Sequence, residues 1–245
     1  MNVIEVEGLR KSFRIPSVHR DTVREHALAF FWPRQFRDYN VLIDIGFQVK
    51  RGEAFGIMGR NGSGKSTLLK ILAGIYAPDA GRVTVSAPVT PILGLGLGWN
   101  GELTARDNLF LTGTAMGMTR KQLHKDLDEI FDFAELQEFV DMQVKFYSSG
   151  MSARLAFAIA FQAVSDILLL DEIFAVGDAA FQKKCQERYL KLHAAGHTLV
   201  LVSHAGADIT RWCERAMLIE EGRVLTSGPS AEVAAQYLTL LGGAE

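Results

Sequence analysis

Residues 59–67 read GRNGSGKST, preceded by the apolar run Ala54-Phe55-Gly56-Ile57-Met58 and followed by Leu68-Leu69-Lys70-Ile71-Leu72. The first run predicts a buried strand and the second has the apolar spacing of a helix, so the order is strand, glycine loop, helix. Gly59, Gly62 and Gly64 let the loop, which also carries Asn61 and Ser63, fold back until successive N–H groups point at one anion. The helix that starts near Lys65 adds the positive end of its dipole. Lys65 is then expected to reach the β and γ phosphates of a nucleoside triphosphate. Ser66 is expected to ligate Mg2+ through its hydroxyl, and Thr67 closes the motif. All fixed positions and both flanks agree, which a chance glycine-rich turn would not produce.

The 245 residues allow one large α/β domain, or one with a helical insert. An apolar share of 48 % and a charged share of 22 % are ordinary for a globular chain. A net charge of −2 speaks against a general nucleic-acid-binding surface, and no nucleic-acid partner is expected. Cys185 and Cys213 lie far apart without Cys-x-x-Cys spacing, so they read as reduced thiols rather than a disulfide or a zinc site. No apolar run reaches the length of a membrane span; residues 155–164 come nearest and include Gln162. The first residues lack the basic and apolar regions of a signal peptide, so the chain is expected to stay inside the cell.

Along the chain, residues 2–15 predict a strand and a turn, and residues 16–40 break the pattern. Asp21 can cap a helix there, with Val23, Ala27, Phe30 and Phe31 near one face and Arg20, Arg24, Arg34 and Arg37 flanking it. Such an element suits a membrane interface, a partner, or the core of its own domain. Strands follow at 41–49 and 53–58, and at 82–85 after the turn Pro78-Asp79-Ala80-Gly81. Residues 89–101, with four glycines, predict a flexible connector. Thr104-x-x-Asp107 and Thr119-x-x-Gln122 are helix starts of capping-box type, which opens a helical subdomain over 104–164. Further on, a strand over 167–170, a helix over 179–194, a strand over 198–202, a hairpin turned at Glu221-Gly222 and a last helix over 230–241 complete the alternation. The expected fold is a mostly parallel sheet with helices on both faces, an antiparallel part and the helical insert.

In such sheets ligands sit beyond the carboxyl ends of the strands. The glycine loop, Asp171-Glu172 and His204 each follow a strand and are expected to converge. Asp171 suits a contact to Mg2+ beside Ser66, and Glu172 a general base on the attacking water. His204 reads either as a structural histidine or as a partner of the γ phosphate.

The full set of motifs resembles the ATPases of ABC transporters. Tyr147-Ser148-Ser149-Gly150-Met151 looks like their signature motif, and GRNGSGKST, ILLLDE, Val176-Gly177-Asp178 and Ser203-His204 keep the family's order over most of the chain. The resemblance implies ATP as the nucleotide and a head-to-tail homodimer. In it, Ser149 and Gly150 of one copy would close on the ATP of the other, with Asp178 also near that ATP. Phe13 would stack on adenine. The version of the signature here, with Arg154-Leu-Ala-Phe after it, the extra segment 16–40 and the phrase Gly96-Leu97-Gly98-Trp99-Asn100 are similar to the branch that exports O-antigens, capsules and teichoic acids.

That branch implies two integral membrane permease subunits, a lipid-linked polysaccharide handled through them, and a place on the cytoplasmic face of the inner membrane. The segment 16–40 would then be a gate helix against the permease. The family's glutamine before the helical subdomain has no clear equivalent; Asn100 or a residue of 94–98 stands in its region. Some members carry a carbohydrate-binding domain after the ATPase, and with Glu245 last here that recognition is expected elsewhere. Other readings are an ABC exporter of another substrate, a non-transport ABC protein, or a kinase or GTPase with the same loop. Non-transport ABC proteins usually have two ATPase halves or a coiled-coil insert, and a kinase or GTPase would not need residues 147–151.

Overall fold

A computed structural model describes residues 1–16, 36–92, 99–171 and 177–242, and within them two sheets share one core. The smaller sheet is antiparallel, with β1 (Asn2–Pro16) between β2 (Phe36–Lys50) and β4 (Ala80–Val85). The larger has six strands, in the order β5 (Val89–Ile92), β6 (Ile167–Asp171), β7 (Thr198–Val202), β3 (Ala54–Met58), β8 (Arg215–Glu220) and β9 (Arg223–Pro229). All neighbours in it are parallel except β8 and β9, the hairpin turned at Glu221-Gly222 as the sequence predicts.

Ala54–Met58 of β3, Ile167–Leu170 of β6 and Leu199–Val202 of β7 are apolar throughout, because both faces of these strands are covered. Leu168, Leu170, Leu199, Leu201 and Leu218 join a cluster with Phe157 and Phe161 of α4 (Ser149–Gln162) and Phe181 and Tyr189 of α5 (Ala179–Ala194). Trp212 of α6 (Gly206–Trp212) and Tyr237 of α7 (Ser230–Gly242) belong to the same side. Ile167, Leu169, Val200, Val202 and Met217 point the other way, onto α1 (Lys65–Leu72) and the small sheet. Helices thus lie on both faces, as expected, and the antiparallel sheet packs over α1 on the second.

The helical subdomain consists of α2 (Ala105–Ala115), α3 (Arg120–Ala134) and α4. Both expected capping boxes form, Thr104 with Asp107 and Thr119 with Gln122. Leu155, Ala158 and Ile159 of α4 pack on Leu109, Leu123 and Phe131, while its Phe157 and Phe161 pack on the six-stranded sheet. One helix thus carries both cores, which ties its first turn to each.

Three segments differ from expectation. Residues 36–40, read as part of the insert, extend β2 and pair with residues 12–16 of β1, so the break in the sheet pattern is shorter than 16–40. The remainder of that insert, with its candidate gate helix, lies outside the described residues. Val89–Ile92, read as flexible connector, is the edge strand β5, where Pro91 is tolerated because one side of an edge makes no ladder bonds. Short α6 had no expectation; only Ile209 and Trp212 of its seven residues are buried.

Cys185 and Cys213 are free and buried beside α5 and α6, and burial pushes both thiols up to about 12. Among the described residues no helix is long and apolar enough to cross a membrane.

Candidate functional site

Strand register builds the site. Asp171 pairs with Val202, and Val202 with Ile57, so β6, β7 and β3 end in one row. The residues that follow, Met58-Gly59 and Ser203-His204, therefore leave the sheet side by side, with Ser203 N–H bonded to the Ile57 carbonyl at 3.4 Å. Glu172, the expected base, lies outside the described residues.

The glycine loop is shaped by close contacts. A Cβ at Gly59 would lie 2.2 Å from the Ile219 carbonyl oxygen, and one at Gly64 2.8 Å from the Val41 carbonyl oxygen. Both residues also have positive φ, 152° and 106°, so larger residues are excluded by space and by conformation alike. Lys65 is buried and donates from Nζ to the carbonyls of Gly59 at 2.7 Å and Arg60 at 2.9 Å, which holds its amine at the start of the loop. Ser66, one residue on, donates from Oγ to Asp171 Oδ2 at 3.0 Å. Asn61 and Gly62 are exposed, whereas Ser63 is 4 % exposed.

These groups fit a nucleotide and its metal. Gly59 and Gly64 let the loop press against Ile219 and Val41 with no room for a Cβ, and Ser66 and Asp171 place two hard oxygen donors together. Among the described residues no group of three or more His, Cys, Asp and Glu could enclose a metal alone. That suits Mg2+, which takes one or two protein oxygens and completes its shell from phosphates and water.

The other expected residues have varied surroundings. His204 is exposed, two residues past β7. Phe13 stands opposite Tyr39 in the ladder between β1 and β2, and its ring meets Tyr76 edge-on at 5.6 Å. Ser148, not Ser149, caps α4, accepting from Met151 N–H at 3.1 Å. Ser149 is exposed, and among the described residues no hydrogen bond or ion pair joins residues 148–150 to the glycine loop. Asp178 caps α5 through Phe181 N–H at 2.9 Å and pairs with Arg154 of α4. The Phe181 and Ala180 N–H groups with the charge of Arg154 hold the Asp178 carboxyl below its usual range. Arg154 also bonds Glu135 at 2.7 Å, and Glu135 holds Lys184 of α5. The α4 helix, Asp178 and the end of α3 are thereby clamped together.

Two positioning residues escaped the sequence reading. Asn108 is fully buried in α2; its Nδ2 donates to the carbonyls of Asn100, Leu103 and Thr104, and its Oδ1 accepts from Asn100 N–H. Asn100, considered for the missing glutamine, turns its own Oδ1 to Glu102 N–H at 3.0 Å. Asp79 takes Lys11 Nζ, Ser12 N–H and Ser12 Oγ within 2.9 Å, fixing the strand just before Phe13. Neither has a sequence signature, since their partners are mostly backbone groups or distant in the chain.

Comparison with known proteins adds four findings. The family model described as ABC transporter matches residues 42–175. The chain is 41 % identical, over 98 % of its length and 77 % of the relative's, to the ABC transporter protein AbcA of Aeromonas salmonicida. It is 39 % identical, over its whole length, to the O-antigen export system ATP-binding protein RfbB of Myxococcus xanthus, of which it spans 57 %. Among solved structures, a dimeric ATP-binding cassette bound to ADP and Pi aligns with a TM-score of 0.74 at 22 % identity, covering 93 % of this chain and 98 % of that one, a likeness of fold.

Proposed function

The chain belongs to the ABC transporter family, and from that membership we propose that it is the ATP-hydrolysing subunit of a system exporting a lipid-linked cell-surface polysaccharide. The Ser66–Asp171 bond carries the ATPase half of this reading, because it joins the phosphate loop to the acidic strand end where a nucleotide-bound metal belongs. Its relationship to an O-antigen export protein supports the polysaccharide half.

Two copies work head to tail beneath two permease subunits on the cytoplasmic face of the inner membrane. The loop N–H groups and Lys65 bind the phosphates, and Ser66 and Asp171 would hold a Mg2+ that would supply charge neutralisation to them. Glu172 takes the proton of the attacking water, and His204 steadies the γ phosphate. Ser149 and Gly150 of the second copy close over the same ATP, so binding draws the copies together and hydrolysis releases them. That closure is the motion passed to the permease.

Glu172→Gln tests the chemistry. It should keep ATP binding and cut turnover by about 10²–10⁴-fold, the usual worth of a general base; near-normal turnover would remove Glu172 from the role. Purification from membranes tests the setting. Recovery with an integral membrane protein, and accumulation of unexported lipid-linked glycan in cells carrying Lys65→Ala, is the expected outcome. Recovery with ribosomes or DNA would overturn it.

A further inference from the structure

The loop that carries His204 is tied on both sides of that residue. Before it, Ser203 is only 5 % exposed, and its Oγ donates to Asp208 Oδ2 at 3.2 Å. After it, Ala205 N–H donates back to the same Ser203 Oγ at 3.0 Å, and the Ala205 carbonyl accepts from Asp208 N–H at 3.1 Å. His204 thus stands between two residues that are each bonded to Asp208. Asp208 is itself well anchored, in the first turn of α6 and next to the fully buried Ile209. A Cβ at Gly56 would lie 2.8 Å from Ile209 Cγ2, so α6 presses on β3 just ahead of the phosphate loop.

The donors and acceptors give this chain of bonds one direction. An ionised carboxylate only accepts, so the single Ser203 proton goes to Asp208 and the Ser203 lone pairs are left for Ala205 N–H. Bonds that run the same way reinforce each other, and an anionic acceptor makes the hydroxyl bond stronger than a neutral one would. The α6 cap residue, Ala205, has no side chain to bond the first turn, so Asp208 is the acidic group of that turn and it reaches back to the strand end instead. Reacting groups displaced by about 1 Å can lose about 100-fold in rate, so what fixes this loop against β3 matters to chemistry at the phosphates.

We propose that Asp208 is a positioning residue for ATP hydrolysis, holding His204 in place against the phosphate loop through the Ser203 hydroxyl. The proposal rests on the reading of His204 as the partner of the γ phosphate. It gives α6, which lies outside every motif read from the sequence, a part in turnover.

ATP turnover of the full chain as purified from membranes tests this, with an ATP titration in the absence of Mg2+ beside it. Asp208→Ala should lower kcat about tenfold and leave ATP affinity within about twofold of the parent. Ser203→Ala should give the same split, which keeps the test intact if the first variant folds poorly. Asp208→Asn, whose amide oxygen still accepts the bond, should recover most of the loss. The deciding measurement is Asp208→Ala in a His204→Ala background, where it should cost nothing further because the group it positions is gone. An equal loss in both backgrounds would make the bond a matter of stability alone and overturn the proposal. Parental turnover in both Asp208→Ala and Ser203→Ala would overturn it too. Parental turnover in His204→Ala would instead overturn the reading of His204 beneath it.

Discussion

The Ser66 hydroxyl donates to the Asp171 carboxylate at 3.0 Å, across a separation of 105 residues. One residue is the second of the helix after the glycine loop, and the other ends a strand two places in the sheet from the one before that loop. If these oxygens hold the metal, Asp171→Asn should leave Mg2+-free ATP affinity within a few-fold. The gain in affinity that Mg2+ confers should fall about tenfold, in line with the loss of one charged ligand. Titrations with and without Mg2+ check this, and an unchanged Mg2+ effect would refute it.

Lys65 is anchored on the carbonyls of Gly59 and Arg60, so its charge is pre-positioned within the loop. Lys65→Ala should weaken ATP about 10–100-fold, the worth of a charge-assisted bond to phosphate. A fluorescent-nucleotide displacement assay reads this directly. An affinity within twofold of the parent would show that the backbone alone holds the phosphates.

Asn108 joins the start of the helical subdomain to the segment that enters it, with its side-chain amide bonded at both ends. Asn108→Ala would leave those part-buried backbone groups unpaired and a gap at a fully buried position, and should cost about 3 kcal/mol of stability. For a chain of this size that lowers the thermal midpoint by about 6–12 °C. Calorimetry would show it, and a midpoint within 2 °C (about one-third of the smallest expected shift) would mean that water replaces the amide.

Asp79 gives a pH dependence of definite sign. The hydrogen bond from Lys11, then that from Ser12 N–H, hold its carboxyl at about 2 in the folded chain. Unfolded, it should titrate near the ordinary carboxylate value of about 4. Its contribution is therefore complete above about pH 4 and lost as the pH falls toward 2. Because the carboxyl is partly exposed, salt should weaken the effect. Urea midpoints between pH 5 and 2 should fall less steeply in Asp79→Asn, and parallel curves would remove Asp79 from the acid response.

Much of the site could be read from residue order because its chemistry fixes residue types at short spacing. Gly59, Gly64, Lys65 and Ser66 are such a set, and Asp171 follows from an apolar strand that must end at the ligand edge. Packing partners could not be read in the same way. The run Ile167–Leu170 announces two covered faces without saying that one cover is a sheet. Asp79 looks like any turn residue until Ser12, 67 positions away, is brought beside it. Asp178, expected beside the nucleotide, has its carboxylate committed to a helix start and to Arg154 within one chain. The glycines that follow Ile92 made the whole stretch from Val89 read as connector, and Pro91 is tolerated in the strand only by its edge position, which the assembled sheet defines.

The two buried thiols offer an experimental opening. Thiolates are the reactive form, and neither Cys185 nor Cys213 reaches it near neutral pH. Maleimide dyes and spin labels added to the native chain should therefore find no target, and one cysteine introduced at an exposed position would report alone. Distances between such reporters on two copies would test the proposed approach and separation, in the otherwise unaltered protein.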